Sequence, residues 1–281
     1  MKSKAFLFLF LIMLGHSVWS QPLRVMTFNI RLDHEGDAQH NWRFRKVEAS
    51  RLLADQSIDI VGTQEVLKNQ LDDLLNGAPD FASVGVGRFD GKEAGEYSAI
   101  LYRKDKFQVE ESGNFWLSES PSTAGSKGWD AACERIVTWA RFKEIETGKR
   151  FVFLNTHFDH VGVMARKNSA ILLVEKAKII AGGLPVIISG DFNGEPNSEP
   201  VEIIRNSGWL FDAGSFTNSR KGPSWSFHDF GRLPENDRPL IDFIFISADF
   251  QVDLYENIFK SIGETYYSDH NPIIVQLRFK Q

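Results

Sequence analysis

The 281-residue sequence carries 32 Lys and Arg residues against 37 Asp and Glu residues, which gives a formal net charge of −5 at pH 7. This balance argues against tight non-specific binding of duplex nucleic acid, because such binding depends on Lys and Arg neutralising phosphates. Cys133 is the only cysteine, so an intrachain disulfide is excluded and the core must supply the stability. A local basic groove would still allow a nuclease despite the acidic total.

Residues 1–20 are predicted to be a signal peptide. Two lysines precede an apolar run over residues 5–14, and Val18 and Ser20 suit the −3 and −1 positions of a signal-peptidase site. The mature chain would then begin at Gln21, without the two lysines and therefore more acidic. The apolar run is shorter than the ~20 residues that span a bilayer, so no transmembrane segment is expected in the mature chain. We expect export to the periplasm or to the medium.

Apolar and β-branched runs predict strands, and 3.6-residue spacing predicts helices between them. The predicted strands are residues 23–30, 58–62, 81–87, 97–102, 107–117, 136–142, 151–155, 185–189, 240–246 and 273–279. The predicted helices are residues 42–54, with Phe44 and Val47 at helical spacing, 67–77, and 167–181. Strands 81–87, 97–102 and 107–117 are expected to be neighbours in one sheet.

The segments 29–65 and 157–191 both follow a strand–helix–strand order, which indicates two similar halves. Two halves, each with a sheet and outer helices, predict an α/β fold: a four-layer α/β/β/α sandwich of two packed mixed sheets flanked by helices. No linker or low-complexity tract interrupts residues 21–281, which are predicted to form a single catalytic domain that acts as a monomer.

Three short segments place polar side chains just beyond apolar runs: residues 62–65 (GTQE), 189–193 (SGDFN) and 268–272 (SDHNP). Asn29, His157 and Asp242 stand in the same setting. Buried strands that end in polar groups commonly present them at a sheet edge, where sites are built. Six such ends, rich in carboxylate, amide and imidazole groups, predict a site for a hard metal ion and a phosphoester.

The residue identities of these segments and their order along the chain resemble those of the endonuclease/exonuclease/phosphatase superfamily, over residues 24 to about 279. That superfamily includes deoxyribonucleases, abasic-site endonucleases, deadenylases, inositol polyphosphate 5-phosphatases and neutral sphingomyelinases. The segments 116–119 and 125–130 look like a bacterial branch near the deadenylase-like members. The resemblance implies the same sandwich fold and metal-dependent hydrolysis of a phosphoester, and it implies a reaction type rather than one substrate.

Glu65 is the first candidate metal ligand, because Mg²⁺ prefers oxygen ligands and usually takes one or two protein carboxylates. The alternative is a glutamate favoured by the dipole of the helix that follows. The resemblance implies that Glu65 binds Mg²⁺, or Mn²⁺ in its place, and that Asn29 lies beside the ion, although Asn29 could instead cap a strand end. Asp269 is expected to complete the metal shell, directly or through water.

Asp191 and Asn193 are interpreted as a pair in which the carboxylate activates the attacking water and the amide donates to phosphoryl oxygens. An Asx-turn is the structural alternative, and the two are compatible. His270 is expected to contact the scissile phosphate. Asp242, among apolar residues, would be costly without a partner, and it is expected to orient and charge the His270 ring. By resemblance His157 contacts phosphate, and a core histidine is the alternative.

Arg135 is a candidate phosphate ligand or, equally, one half of a surface ion pair. Trp225 is predicted either to stack on a base or sugar or to pack its own loop onto the sheet. We predict an exported phosphodiesterase, for which nucleic acid is one candidate substrate. The first alternative is a phosphomonoesterase on a small sugar-, inositol- or lipid-linked phosphate, with a closed pocket beneath the loops of His34 and Trp225. The second is a non-catalytic binding module.

Overall fold

The computed structural model describes residues 22–280, so the predicted signal peptide lies outside the described residues. The strands are β1 (Leu23–Asn29), β2 (Ile60–Gln64), β3 (Phe81–Val84), β4 (Ile100–Arg103), β5 (Phe107–Trp116), β6 (Ile136–Glu144), β7 (Arg150–His157), β8 (Val186–Asp191), β9 (Leu210–Asp212), β10 (Arg220–Lys221), β11 (Asp242–Ser247), β12 (Phe250–Asn257), β13 (Ser261–Ile262), β14 (Thr265–Tyr266) and β15 (Ile273–Phe279). The helices are α1 (Trp42–Asp55), α2 (Lys68–Gly77), α3 (Val163–Ala181) and α4 (Glu199–Arg205).

Two mixed sheets pack face to face. Over the described residues, one sheet has the order β10-β12-β15-β1-β2-β4-β3 and the other has the order β5-β6-β7-β8-β11-β9. Helices α1 and α2 cover the outer face of the first sheet, and α3 and α4 cover the second. The predicted four-layer α/β/β/α sandwich is confirmed.

Alternation along each strand divides the apolar side chains among three cores, because successive residues point to opposite faces of a sheet. In β1, Val25 packs between the sheets, while Met26 and Phe28 pack against the helices. In β7, Phe153 faces the central core and Leu154 faces α3. The same alternation therefore decides which polar side chains point between the sheets.

The expected placement of residues 107–117 beside strands β3 and β4 is wrong. The turn at residues 104–106 carries the chain across the central core, where Phe107 is buried, and β5 pairs with β6 at the edge of the other sheet. Strand β12, which joins β15 to β10, was not anticipated, and neither was helix α4. A local apolar pattern identifies a strand but carries no information about its partner.

Helix α1 forms where it was expected, but Phe44 and Val47 are exposed. Its buried face carries Arg45, whose guanidinium donates to the carbonyls of residues 30, 31, 40 and 267 at 2.6 to 3.2 Å. Four carbonyl acceptors offset the cost of burying this charge. Arg45 thus ties the first strand–helix connection to the segment that precedes β15. Within residues 22–280, no helix is both long and apolar enough to cross a membrane.

Candidate active site

The predicted polar strand ends meet at one edge of the sandwich. Asn29 ends β1, and His157 and Asp191 end the parallel strands β7 and β8, where they are register partners. Asp242 begins β11, which runs antiparallel to β8, and it lies opposite Asp191. The segment 268–272 leads into β15, antiparallel to β1. Carboxyl ends of some strands and amino ends of their antiparallel neighbours therefore share this edge.

Beneath the site, Asn155 joins the two sheets. Its Nδ2 donates to the carbonyls of Thr63, at 2.8 Å, and Ala99, at 3.0 Å. Its Oδ1 accepts from Gln64 Nε2, at 2.7 Å, and from Ser189 Oγ, at 2.9 Å. A Cβ atom on Gly62 would lie 2.0 Å from Ser189 Oγ and 2.4 Å from Asn155 Oδ1, so only glycine allows the sheets to approach this closely.

Asn29, Glu65 and Asp269 form the carboxylate-rich side of the site. Asn29 Nδ2 donates to Glu65 Oε1 at 3.1 Å and to Asp191 Oδ2 at 3.0 Å. The Arg31 guanidinium lies 3.8 Å from Glu65 Oε2 and 3.9 Å from Asp269 Oδ2. Burial raises the pKa of Asp269, and the charge of Glu65 adds to the rise. Burial alone would raise the pKa of Glu65 too, but His270, Asn29 and Arg31 outweigh it and lower that pKa.

These residues fit a hard divalent cation. Glu65 and Asp269 are largely buried carboxylates that repel one another, and Arg31 approaches each only beyond hydrogen-bonding distance. Oxygen ligands of this kind suit Mg²⁺ or Mn²⁺ rather than a soft metal. The fold therefore brings the predicted metal ligands Asn29, Glu65 and Asp269 together, and a bound cation would balance the negative charge of the two carboxylates.

Asp242, His270 and Asp191 form a buried acid–imidazole–acid chain. Asp242 Oδ2 accepts from His270 Nδ1 at 2.8 Å, and His270 Nε2 lies 3.7 Å from Asp191 Oδ2. Burial by itself would lower the pKa of His270, but Asp242 and Asp191 outweigh it and raise that pKa to about 10. Burial, with Asp242, raises the pKa of Asp191 to about 7 against the opposing charge of His270. The expected pairing of Asp242 with His270 is present in the structure.

His157 and Asn193 face this chain from the other side. Asn193 Nδ2 lies 3.0 Å from His157 Nε2 and donates to the carbonyl of Phe158, and His157 Nε2 is 3.5 Å from Asp191 Oδ2. Burial, and then the charges of Arg135 and Arg88, hold the pKa of His157 well below its usual value. This lowered pKa favours the neutral form of the His157 imidazole. The expected Asx-turn is also present, with the Asn193 N–H donating to Asp191 Oδ1 at 2.9 Å.

A cavity of about 360 Å³ opens above these groups. Arg135 lines it and is 4% exposed, with Nη2 donating to His160 Nδ1 at 3.0 Å. Its Nε and Nη1 have no hydrogen-bond partner among the described residues, although Nε lies 3.5 Å from Asp159. Arg88 and Glu96, which the sequence reasoning missed, also line the cavity. They lie far from the motifs along the chain, and no local pattern marks them.

Trp225 does not line this cavity, and in the structure it packs its own loop, which is the second of its two predicted roles. It is 6% exposed and packs edge-on against Phe259 at 4.8 Å, with the Arg238 guanidinium 4.4 Å from its ring centre. Its carbonyl accepts from Asn257 and Asn271. The indole therefore holds its loop onto the sheet.

Four of the residues that line the cavity have a strained backbone conformation. Arg31, Glu65, Asn193 and Asp229 have φ of 57°, 60°, 45° and 50°, in the left-handed region that favours glycine, and all four line the cavity. Such conformations persist where surrounding contacts hold them, and they cluster at functional sites. The backbone is held so that these side chains point into the pocket.

Two further groups of potential ligands have other roles. Asp191, Asp242 and His270 lie within reach of one ion, but Asp242 already engages the imidazole. Cys133, Asp159 and His160 also lie together, yet Asp159 accepts backbone N–H bonds from residues 132, 133, 161 and 162. These bonds lower the pKa of Asp159 although burial alone would raise it. Asp159 therefore organises two loops and positions Arg135.

Comparison with known proteins gives concordant results. A family model described as the endonuclease/exonuclease/phosphatase family matches residues 26–270. A solved endonuclease/exonuclease/phosphatase from Bacteroides vulgatus is 44% identical, with a TM-score of 0.90, and the match covers 92% of this chain and 100% of that one. A mannosyl-6-phosphatase of Bacteroides thetaiotaomicron is 38% identical, with a TM-score of 0.85 and the same coverages.

An uncharacterized protein of Acanthamoeba polyphaga mimivirus is 25% identical over 252 residues, which are 84% of this chain and 92% of that protein. The matched region contains each of the polar strand ends that meet at the cavity. Members of the matched family hydrolyse phosphoesters and depend on a divalent metal, which agrees with the carboxylates, imidazoles and amides gathered here. The chain belongs to the endonuclease/exonuclease/phosphatase family and is a phosphoester hydrolase.

Proposed function

We propose that this enzyme is a Mg²⁺- or Mn²⁺-dependent phosphomonoesterase that acts on a phosphate carried by a small sugar. The observation that carries the proposal is the Arg135 guanidinium in the cavity wall, which is 4% exposed and whose buried Nε and Nη1 have no hydrogen-bond partner among the described residues. A terminal phosphate carries a charge of about −1.5 to −2 at neutral pH, more than a diester, and planar guanidinium groups suit it.

The size of the cavity supports a small substrate. Pockets for small molecules measure about 300–1,000 Å³, and about 360 Å³ is near the lower end. Of the basic residues that a nucleic-acid strand would need, Lys127 and Lys221 are exposed and do not line the cavity, and Arg166 lines a neighbouring groove. Trp225 is buried. The phosphodiesterase favoured by the sequence therefore has less support than the phosphomonoesterase alternative.

The similar protein from Bacteroides thetaiotaomicron is a mannosyl-6-phosphatase, which suggests hexose 6-phosphates as the first substrates to test. It is 38% identical over 92% of this chain. Export by residues 1–20, with residues 21–281 as a single catalytic domain, stays part of the proposal. Mass spectrometry of the amino terminus of the protein isolated from cells tests the export. A start at Gln21 is expected, and a protein that still begins at Met1 would contradict it.

The roles of the side chains follow from their charges. Asp191, with a pKa of about 7, accepts a proton from the attacking water, and Asn29 and the Asn193 N–H hold its carboxylate. His270, kept cationic by Asp242, donates to the phosphoryl group. Glu65, Asp269 and Asn29 would hold the divalent ion. When bound, that ion neutralises charge on the phosphate and on the leaving oxygen.

His157 and Asn193 complete the phosphate site opposite His270. A neutral His157 accepts at Nε2 from the Asn193 amide, so its proton lies on Nδ1, which has no partner within the described structure. Arg135 lies beside it with Nε and Nη1 unpaired. These donors are placed to hold phosphoryl oxygens as charge develops on them, and no covalent enzyme intermediate is needed.

The test is hydrolysis by the mature protein with Mg²⁺ of three substrates: mannose 6-phosphate, bis(p-nitrophenyl) phosphate and single-stranded DNA. We expect release of inorganic phosphate from the monoester with the highest kcat/KM. A kcat/KM for either diester tenfold above that for the monoester would overturn the proposal. Arg135→Lys should raise KM for the monoester, because the ammonium group cannot reproduce the planar fork, and the exposed Lys127→Arg is the control.

A further inference from the structure

The connection between β3 and β4 presents two charged side chains to the cavity. Its backbone folds back on itself: the N–H groups of Arg88 and Phe89 donate to the carbonyls of Glu96 and Ala94 at 3.1 and 3.0 Å. Trp116 Nε1 donates to the carbonyl of Arg88 at 2.7 Å. Tyr97, next to Glu96, pairs with Val66, the residue after Glu65. This connection is therefore held in place beside the catalytic groups.

Within the connection, Arg88 Nη1 donates to Glu96 Oε2 at 2.7 Å, and their side chains are 9% and 16% exposed. Arg88 Nε is buried without a partner, and no hydrogen bond within residues 22–280 reaches Glu96 Oε1. Burial raises the pKa of Glu96, against the charge of Arg88. Glu96 Oε1 and the buried Arg88 Nε–H both lack a protein partner and lie at the cavity, so they are expected to bind polar groups of a ligand.

Both side chains line the cavity, together with Glu65, Arg135 and His157. Glu96 would repel a phosphate group, so its free oxygen is suited to an uncharged hydrogen-bond donor. Arg88 supplies donors for an uncharged acceptor at the same place. A hydroxyl group is both donor and acceptor, and neighbouring hydroxyls on a sugar ring match an adjacent carboxylate and guanidinium.

We infer that the Glu96–Arg88 pair recognises hydroxyl groups of the sugar that carries the phosphate, and so determines which sugar phosphates are hydrolysed. This inference rests on the proposed phosphomonoesterase activity. It assigns the phosphate to Arg135, His157 and His270, with Asn193 holding His157, and the sugar ring to the β3–β4 connection. A site built to bind a hydroxyl strongly rejects analogues that lack it, because its buried polar groups then stay unpaired.

The test uses Glu96→Gln in the mature enzyme at saturating Mg²⁺, with mannose 6-phosphate, its monodeoxy analogues and p-nitrophenyl phosphate, which has no hydroxyl groups. Glu93→Gln is the matched control, because Glu93 is exposed in the same connection and does not line the cavity. A hydrogen bond to a charged group contributes about 1.5–3 kcal/mol, so kcat/KM for mannose 6-phosphate should fall about 10- to 100-fold, mainly through KM. The ratio to p-nitrophenyl phosphate should fall at least tenfold.

The deoxy analogues give an independent measurement. One analogue should be a poor substrate for the wild-type enzyme, and Glu96→Gln should no longer distinguish it from the parent sugar, because the contact is already lost. Equal losses on the sugar and the aryl phosphate would overturn the inference. So would a weaker Mg²⁺ affinity of Glu96→Gln by calorimetry, which would make Glu96 a metal ligand. A wild-type enzyme that hydrolyses diesters but neither monoester would overturn the proposed function itself.

Discussion

Replacing Asn155 by alanine should destabilise the protein more than any surface change, because this one side chain joins the two sheets. Its amide makes four hydrogen bonds, two as donor to carbonyls of the first sheet and its neighbouring loop, and two as acceptor, one from each sheet. The side chains of Asn155, Gln64 and Ser189 are fully buried. Water cannot replace the lost partners without entering the core.

The expected loss in the free energy of unfolding depends on which hydrogen bonds each partner of Asn155 retains. Gln64 Nε2 retains bonds to Thr27 Oγ1 and the Gly62 carbonyl, and the Ala99 carbonyl retains the N–H and hydroxyl of Thr63. Ser189 Oγ retains only a long bond of 3.4 Å. At about 1 kcal/mol net for each of the four bonds, partly offset by these remaining partners, we expect a loss of about 2–4 kcal/mol. That corresponds to a Tm lower by roughly 5–15 °C.

The assay is urea and thermal unfolding followed by tryptophan fluorescence, with the exposed Asn206→Ala as the control, for which a change below about 0.5 kcal/mol is expected. Asn155→Asp should also be destabilising, because it keeps the shape but places a carboxylate oxygen against two carbonyls. A Tm for Asn155→Ala within 2 °C of the control would refute the reasoning and would mean that apolar packing alone sets the spacing of the sheets.

Glu65→Gln should lower Mg²⁺-dependent turnover ~10²-fold or more and weaken Mg²⁺ binding by calorimetry, because it keeps the shape but removes the charge. Near wild-type activity at saturating Mg²⁺ would falsify this ligand assignment, and the exposed Glu264→Gln is the control. Asp242→Asn should lower kcat through His270, and a double variant with His270→Ala should be no worse than the poorer single variant, because residues that act as a unit are non-additive; independent losses would contradict the pair. Trp225→Ala should lower the free energy of unfolding by about 3–5 kcal/mol in urea, and a fully stable variant with a raised KM for DNA would instead support base stacking.

The sequence alone was enough to predict the fold class and most of the polar side chains that meet at the cavity. Polar residues placed just beyond apolar runs, such as Asn29, Asp191 and His157, mark strand ends whichever strands become neighbours. Alternation explains why they point inwards: in β8, Ile187 and Asp191 share a face, and Ile187 packs between the sheets. The pairing of Asp242 with His270 could also be predicted, because a carboxylate among apolar residues requires a partner.

Other features depended on contacts between distant parts of the chain. The sheet to which β5 belongs, the burial of Trp225 and the burial of Arg45 each result from partners far away in sequence.

The substrate side of the cavity was decided in the same way. Arg88 and Glu96 carry no motif, and they reach the site because the β3–β4 connection packs beside the residues that follow Glu65. Local sequence determines the face on which a side chain lies, whereas tertiary packing determines what that face meets. The reaction type could therefore be predicted from the polar residues at the strand ends. The shape of the substrate pocket depends on tertiary packing and could not.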